Sequence, residues 1–444
     1  MHIEVSNLTS KLVTDNPELL NKLSEKYSFK VPGYQYTPQY KRRVWDGSKT
    51  YFKKNGSFRT GILDRVIDDL VLIGVDRKNL VISGEPKIVD DFYLDVINVK
   101  NYDYYDYQKE AIEGSLRNKR GIIDSPTGSG KTLIMAGLVK SLQVVFPKIT
   151  ILFRAKSILN QTYEFFKSAG IDNVGINSGE GYIYGDIMLS TVQSIEKIID
   201  THLESSQVLM VDEVHEFSKG DTTVAAIEAF PNAIFRFGFT GTIPSLKEDP
   251  HARLTLEGAF GKVYKTRTTD ELINDGKLAK PIIQIIEYAP SGVDLDIDYQ
   301  SAYDKYIIKS KDRNDLVVSI VESIAKNSKK AKILILVKNL EHLKQLHLLL
   351  GFKNINSVTI EGSDNIQDRY WIINKFIKSK EPIVLIGTNV MQTGVNINEI
   401  SHMINARGLE GEIPTLQGLG RGLRTSDGKS TVYFYDFYDK VPYL

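Results

Sequence analysis

The sequence has no cysteine in 444 residues, which rules out disulfides, thiolate metal sites and cysteine nucleophiles. That absence fits a reducing compartment. The start, MHIEVSNLTSKLVTDNPELL, has neither the basic leader nor the apolar run of a secretory signal. Nowhere does an apolar stretch approach the roughly 20 residues needed to cross a bilayer. A cytoplasmic protein with no membrane partner is therefore expected. Excess charge of one sign is missing too: the formal net charge is +1, so a polyanionic partner is neither required nor excluded.

What is present reads as a soluble, multidomain chain. Hydrophobic residues make up 42% and charged residues 25%, as in globular proteins, and the length is too great for one ordinary core. From about residue 106 short apolar runs alternate with amphipathic stretches: GIID then KTLIMAGLVKSL, KITILF then SILNQTYEFFKSAG, DIMLST then VQSIEKII, QVLMVDE, FRFGFTGT. This rhythm predicts βαβ units and a parallel sheet covered on both faces. It lapses at RTTDELINDGKLAKP and resumes through KILILV, NLEHLKQLHLLLG, SVTI, QDRYWIINKFIK, PIVLIGT, HMINA and STVYFYDF. The first part differs: GYQYTPQY and WDGSKTYF read as short strands and GILDRVIDDLVLIG as a helix. The expected organisation is a small α+β N-terminal domain (1–98) followed by two α/β domains (99–272 and 273–444).

Local charge is more telling than the total. Gln39 to Asn55, QYKRRVWDGSKTYFKKN, holds six basic residues against one acidic, with aromatics between them. Lys41, Arg42 and Arg43 would neutralise phosphates while Trp45 or Tyr51 stacks on a base. The alternative is a solvated sheet edge whose lysines discourage aggregation.

SPTGSGKT, residues 125–132, has the form of a phosphate-binding loop between a strand and a helix. Gly128 and Gly130 lie where a Cβ would meet phosphate or where φ must be positive. Lys131 supplies a point charge and the Thr132 hydroxyl suits Mg²⁺. The first position of the usual G-x-x-x-x-G-K-[ST] pattern is Ser125, at the strand exit, where a small residue suffices. About 80 residues on, VLMVDEVH places Asp212 and Glu213 at the end of an apolar strand. Asp212 would hold the Mg²⁺ shell and Glu213 would orient and deprotonate the attacking water. A carboxylate pair capping a surface strand is the competing explanation, but it does not account for the loop.

SPTGSGKT, DEVH, FTGT (239–242) and QGLGRGLR (417–424), with YQKEAI (107–112), STVQS (190–194) and IGTNVMQTGVNI (386–397), resemble the ordered motifs of superfamily 2 helicases. A serine or alanine in place of the first loop glycine is usual in that superfamily. The resemblance implies two RecA-like domains in tandem, with ATP and Mg²⁺ as cofactors. It further implies that Ser125, Pro126, Thr127, Gly128, Ser129, Gly130, Lys131 and Thr132 hold the phosphates. Gln108 would read adenine, with Tyr105 stacking on it. Arg421 and Arg424 would reach the γ-phosphate, and Gln417, His215, Thr240, Thr242 and Gly394 would couple the nucleotide to the track. By the same resemblance the strand is gripped by Arg154, Lys156, Thr191, Gln193, Lys338 and Thr388.

DEVH with FTGT is more like DNA translocases than the DEAD-box RNA group. YTPQYKRRVWDG (36–47) resembles the N-terminal region of phage recombination helicases of the UvsW type. That implies branched or forked DNA as partner, with branch migration, fork regression and D-loop or R-loop unwinding as activities, and RNA–DNA hybrids as a further substrate. An RNA helicase, the motor of a restriction-type translocase, and a module using ATP only as a clamp are the alternatives. The intact Glu213 and Arg421 argue against the clamp.

Overall fold

The computed structural model describes residues 1–84, 95–218, 221–294, 296–388, 397, 399–408 and 430–441. They fall into two compact units, Met1–Pro126 with Gly130–Arg267, and Thr127–Ser129 with Thr268–Leu444.

The first unit begins with a four-stranded sheet in the order Ser57–Arg59, Thr9–Val13, His2–Val5, Val81–Ser83. Ile3, Val5 and Leu12 alternate inward and meet Leu19 and Leu23 of helix Pro17–Lys26 and Val66, Ile67 and Leu70 of helix Leu63–Leu72. Asn16 caps the first of these helices by accepting from the Leu19 N–H, and Pro17 fills its first turn without wasting a donor. Leu254, from helix Pro250–Phe260, joins the same cluster, so the N-terminal sheet shares its core with the α/β part of the unit.

A two-stranded ribbon, Ser28–Lys30 against Ser48–Thr50, carries the basic segment. Here the structure departs from expectation. GYQYTPQY is not a strand: Tyr34–Tyr36 form a 3₁₀ turn and Pro38–Lys41 a short helix. The reason is local, because Thr37 accepts from the Tyr40 N–H and Pro38 pre-sets a helical φ. Of WDGSKTYF only Ser48–Thr50 is strand.

The main sheet of this unit has eight strands, in the order Gly181–Ile183, Val174–Ser178, Ile187–Thr191, Ile149–Phe153, Val208–Val211, Phe235–Thr240, Arg120–Asp124, Val263–Lys265. Every pairing is parallel except that of the edge strand Gly181–Ile183. The apolar runs are continuous because both faces are covered: Ile151 and Met210 enter one core cluster, Leu152, Leu209 and Val211 the other. VQSIEKII, expected as an α-helix, is a 3₁₀ segment (Val192–Ile198) followed by one π turn (Ile199–Leu203).

The second unit holds a six-stranded sheet, all parallel among the described residues, in the order Lys280–Tyr288, Thr431–Asp439, His402–Asn405, Lys332–Leu336, Ile383–Gly387, Ser357–Ile360. Helices Lys311–Asn327 and Leu340–Phe352 bury Val317, Val321, Leu343 and Leu346 against it. Arg313, fully buried, makes a bidentate pair with Asp439 at 2.7 and 3.0 Å and donates to the Ala406 carbonyl. The expected class, α/β with two RecA-like parallel sheets after a small α+β region, is the class observed. Among the described residues no helix is long and apolar enough to cross a membrane.

Candidate nucleotide site and nucleic-acid contacts

Strands Arg120–Asp124, Phe235–Thr240 and Val208–Val211 lie side by side, so their carboxyl ends bring Ser125, Thr240 and Asp212 to one rim. In open parallel sheets that rim is where ligands bind. Helix Lys131–Leu142 starts there with Gly130 as its N-cap, at φ 83°. Gly128 also has positive φ, at 86°. A Cβ on Gly130 would also meet the end of the Gln108 side chain, so any other residue here would have to displace that amide as well as adopt a positive φ. The first turn of the helix carries Lys131 and Thr132 and no acidic residue, which leaves its positive end available to phosphate.

Lys131 donates to the Ser125 carbonyl at 3.1 Å and lies 3.8 Å from Glu213 Oε1. Glu213 itself sits in the left-handed region, φ 46°, directly after the strand that ends at Val211. Such backbone is unfavourable for a glutamate and is held only where its surroundings dictate it. Here it turns the carboxylate to Lys131 and to His215, 3.4 Å away. His215 Nδ1 then meets the Thr240 hydroxyl at 2.8 Å, and that hydroxyl accepts from the Thr242 N–H at 3.0 Å. The DEVH and FTGT segments are thus joined side chain to side chain. The Thr242 hydroxyl is buried with no hydrogen-bond partner among the described residues.

Asp212 is buried, and its carboxyl is pushed well above the ordinary carboxylate range, first by burial and next by Glu213, with Lys131 opposing. A buried carboxyl of this kind is one whose charged form a cation would restore. No cluster of three His, Asp or Glu able to hold a metal occurs among the described residues. Asp212 with the Thr132 hydroxyl nevertheless suits Mg²⁺, which is usually bound by one or two carboxylates together with phosphate and water.

Tyr105 is 46% exposed and stacks on Tyr107, ring centroids 5.9 Å apart. Gln108, buried, caps its own helix: Oε1 accepts from the Tyr105 N–H at 3.0 Å. One residue that the sequence did not single out belongs here. Thr266 donates to Ser125 Oγ at 2.8 Å, tying the end of the Val263–Lys265 edge strand to the loop. No motif signals it.

The proposed strand contacts are placed less uniformly. Arg154 donates to the Glu216 carbonyl at 2.9 Å, and Lys156 is ion-paired with Glu180. Both pairs are solvent-facing and weak enough for phosphate to replace. Gln193 is exposed, whereas Thr191 is buried with its hydroxyl on Ser194. In the second unit Lys338 donates to the Tyr299 hydroxyl and lies over the Tyr303 ring, and Thr388 is buried beyond the strand Ile383–Gly387. Lys41, Arg42 and Arg43 are exposed, and the Trp45 indole N–H donates to the Ser48 carbonyl. Tyr51 is not a free stacking platform: its hydroxyl is held at the His251 carbonyl, 3.0 Å away. Gly394, Gln417, Arg421 and Arg424 lie outside the described residues.

A phosphate loop, a strand-end acidic pair and two parallel sheets in tandem define a helicase-type ATPase, and the comparisons agree. Residues 101–245 match the type III restriction enzyme, res subunit family, and residues 313–426 the helicase conserved C-terminal domain. The chain is a superfamily 2 helicase, an ATP-hydrolysing nucleic-acid helicase.

Among individual relatives, it is 24% identical to the ATP-dependent DNA helicase UvsW of Enterobacteria phage T4, over 95% of this chain and 87% of that one. It is 26% identical to the DNA 3'-5' translocase XPB2 of Sulfurisphaera tokodaii, over 78% of this chain and 84% of that one. The crystal structure of T4 UvsW matches the fold with a TM-score of 0.50 at 20% identity, covering 99% of this chain and 90% of that one.

Proposed function

We propose that this protein is an ATP-driven DNA motor that remodels branched DNA, by branch migration, fork regression or unwinding of D-loops and R-loops. The observation that carries the ATP-driven part of the reading is the run of close side-chain contacts from Lys131 to Glu213 at 3.8 Å, on to His215 at 3.4 Å and to Thr240 at 2.8 Å. It is joined by a likeness to phage T4 UvsW that runs through the N-terminal region as well as the helicase domains.

The roles follow from chemistry at each position. The loop from Ser125 to Gly130, with Lys131 and the start of its helix, holds the phosphates. Thr132 and Asp212 hold Mg²⁺, which supplies charge neutralisation on the phosphoryl oxygens. Glu213 orients and deprotonates water, and Arg421 and Arg424 offset the charge that develops at the γ-phosphate. Base recognition through Gln108 has to use the amide nitrogen, which also reaches the Tyr107 hydroxyl at 3.4 Å, because its carbonyl caps the helix. A hydroxyl shared by His215 and Thr242 carries the state of the site to the FTGT segment. Lys41, Arg42 and Arg43 hold duplex near the branch through its phosphates.

The test is ATPase stimulation by a four-way junction, single-stranded DNA, linear duplex and RNA, side by side at one ionic strength. Strongest stimulation by the junction is expected. Stimulation by RNA alone would reject the branched-DNA reading, and stimulation by linear duplex with no preference for the junction would favour a restriction-type translocase.

A further inference from the structure

Where the N-terminal sheet meets the main sheet of the first unit there is a cavity of about 320 Å³. Five cations line it: Lys49 and Lys53 from the basic segment, Arg59, Arg120 and Arg236. One carboxylate, Glu228, lines it too, and Glu228 is already ion-paired with Arg59. Four positive charges are therefore left without a carboxylate partner among the described residues.

The inner two are fixed in place. Arg120 donates to the backbone and side-chain oxygens of Asn7. Arg236, with no exposed surface, donates to the Ile227, Phe230 and Ala259 carbonyls. Those carbonyls lie at or just beyond the C-terminal ends of helices Asp221–Glu228 and Pro250–Phe260, whose dipoles offset part of the charge. The compensation is incomplete. Burial, with Arg120 next, depresses the Arg236 guanidinium to about 9, and burial depresses Arg120 to about 10. A crevice left merely by two surfaces meeting would be apolar or charge-balanced, since unpaired buried charge is costly. Lys49 and Lys53, both exposed, stand on the open side.

We propose that this cavity is a phosphoryl-binding site, in which Lys49 and Lys53 admit a phosphate that Arg120 and Arg236 balance from within. Two mobile ammonium groups in front of two buried guanidinium charges suit a multiply charged tetrahedral oxyanion. Two sources share this chemistry, a backbone phosphate of a nucleic acid lying on the N-terminal region and free phosphate or pyrophosphate. In either case the anion bridges the basic segment to the strands that lead to the nucleotide loop.

The experiment uses the full chain carrying Lys131→Ala, so that the nucleotide loop does not contribute. Pyrophosphate binding is measured by calorimetry at fixed ionic strength, with chloride as the control, before and after adding Lys49→Gln and Lys53→Gln. Both lysines are exposed, so the fold is not at risk. Saturable binding that weakens about tenfold in the double variant is expected, the loss of one or two charge-assisted contacts. A labelled duplex in the same samples separates the sources: displacement by pyrophosphate assigns the site to nucleic-acid backbone, and undisturbed duplex binding assigns it to free phosphate. No saturable binding, or equal binding with and without the two lysines, overturns the proposal.

Discussion

Thr240→Val is the sharpest probe of the site. Valine has nearly the shape of threonine, and the Thr240 backbone carbonyl, which accepts from the Ser125 N–H at 2.8 Å, would survive. What disappears is one hydroxyl with two partners, His215 Nδ1 at 2.8 Å and the Thr242 N–H at 3.0 Å. Thr240 is fully buried, so water cannot readily replace either contact. At about 1–3 kcal/mol for each of the two polar groups left unsatisfied, the variant should lose roughly 2–6 kcal/mol of stability. The released His215 lies within reach of Glu213 Oε2, 3.4 Å away. Engaging it would draw the carboxylate away from the water it is proposed to orient. Nucleic-acid-stimulated kcat should therefore fall by about ten- to a hundredfold with KM for ATP little changed, the pattern of a transition-state contact rather than a binding one. Steady-state ATPase assays at saturating DNA, with Thr240→Ser as the control that keeps the hydroxyl, measure this. If Thr240→Val turned over ATP like the unaltered protein, or if Thr240→Ser were equally impaired, the hydroxyl relay would be refuted.

Other outcomes follow from the same geometry. Lys131→Ala should abolish ATP turnover while leaving circular dichroism unchanged; persisting turnover would show that the loop is not the hydrolytic site. Glu213→Gln should still bind ATP, but with hydrolysis slowed by about 10²–10⁴-fold, as on losing a positioned base, and near-normal rates would remove Glu213 from that role. Asp439→Asn should cost the second unit about 3–5 kcal/mol, because Arg313 would stay fully buried without its charge partner; a melt within error of the unaltered protein would count against the pair. Burial holds His342 near 3 and His402 near 4, both below the ordinary 6.5. The unfolded chain therefore binds more protons between 6.5 and about 4, and the stability these residues contribute, complete above 6.5, drains away as pH falls through that window. The slope should reach up to about 2.7 kcal/mol per pH unit for two protons, and His402→Phe should roughly halve it in denaturant titrations. A flat profile would refute the assignment.

Much of the fold could be read from periodicity because the strands are buried on both faces, and continuous apolar runs such as ITILF and IVLIG leave little else to form. The N-terminal region resisted for the opposite reason. Alternating tyrosines in GYQYTPQY imitate a half-buried strand, yet Thr37 and Pro38 carry the stronger message, a helix cap and a first-turn proline. Tyr51 looked like a base-stacking residue from its basic neighbours, and only the tertiary structure reveals His251 as its partner. The left-handed backbone of Glu213 follows from no residue pattern around it, and the cations around Arg236 come from segments far apart in the chain, so the sequence announces neither.

Ser125 shows how the two kinds of information meet. Judged by the loop pattern it is a glycine gone missing, harmless because the position lies at the strand exit. In the folded protein it is fully buried and used three ways. Its N–H donates to Thr240, its carbonyl accepts from Lys131, and its hydroxyl accepts from Thr266. The first two contacts any residue could make through its backbone; the third needs the serine side chain. Glycine would keep the phosphate loop and lose the tie to Thr266, whose backbone N–H is also held by the Asp124 carbonyl at 3.0 Å. Thr266 stands two residues before the second unit resumes at Thr268. The serine therefore anchors the chain leaving the ATP-binding unit to the strand that enters the phosphate loop. On the proposed motor reading, a change at the nucleotide would reach the departing chain through this contact.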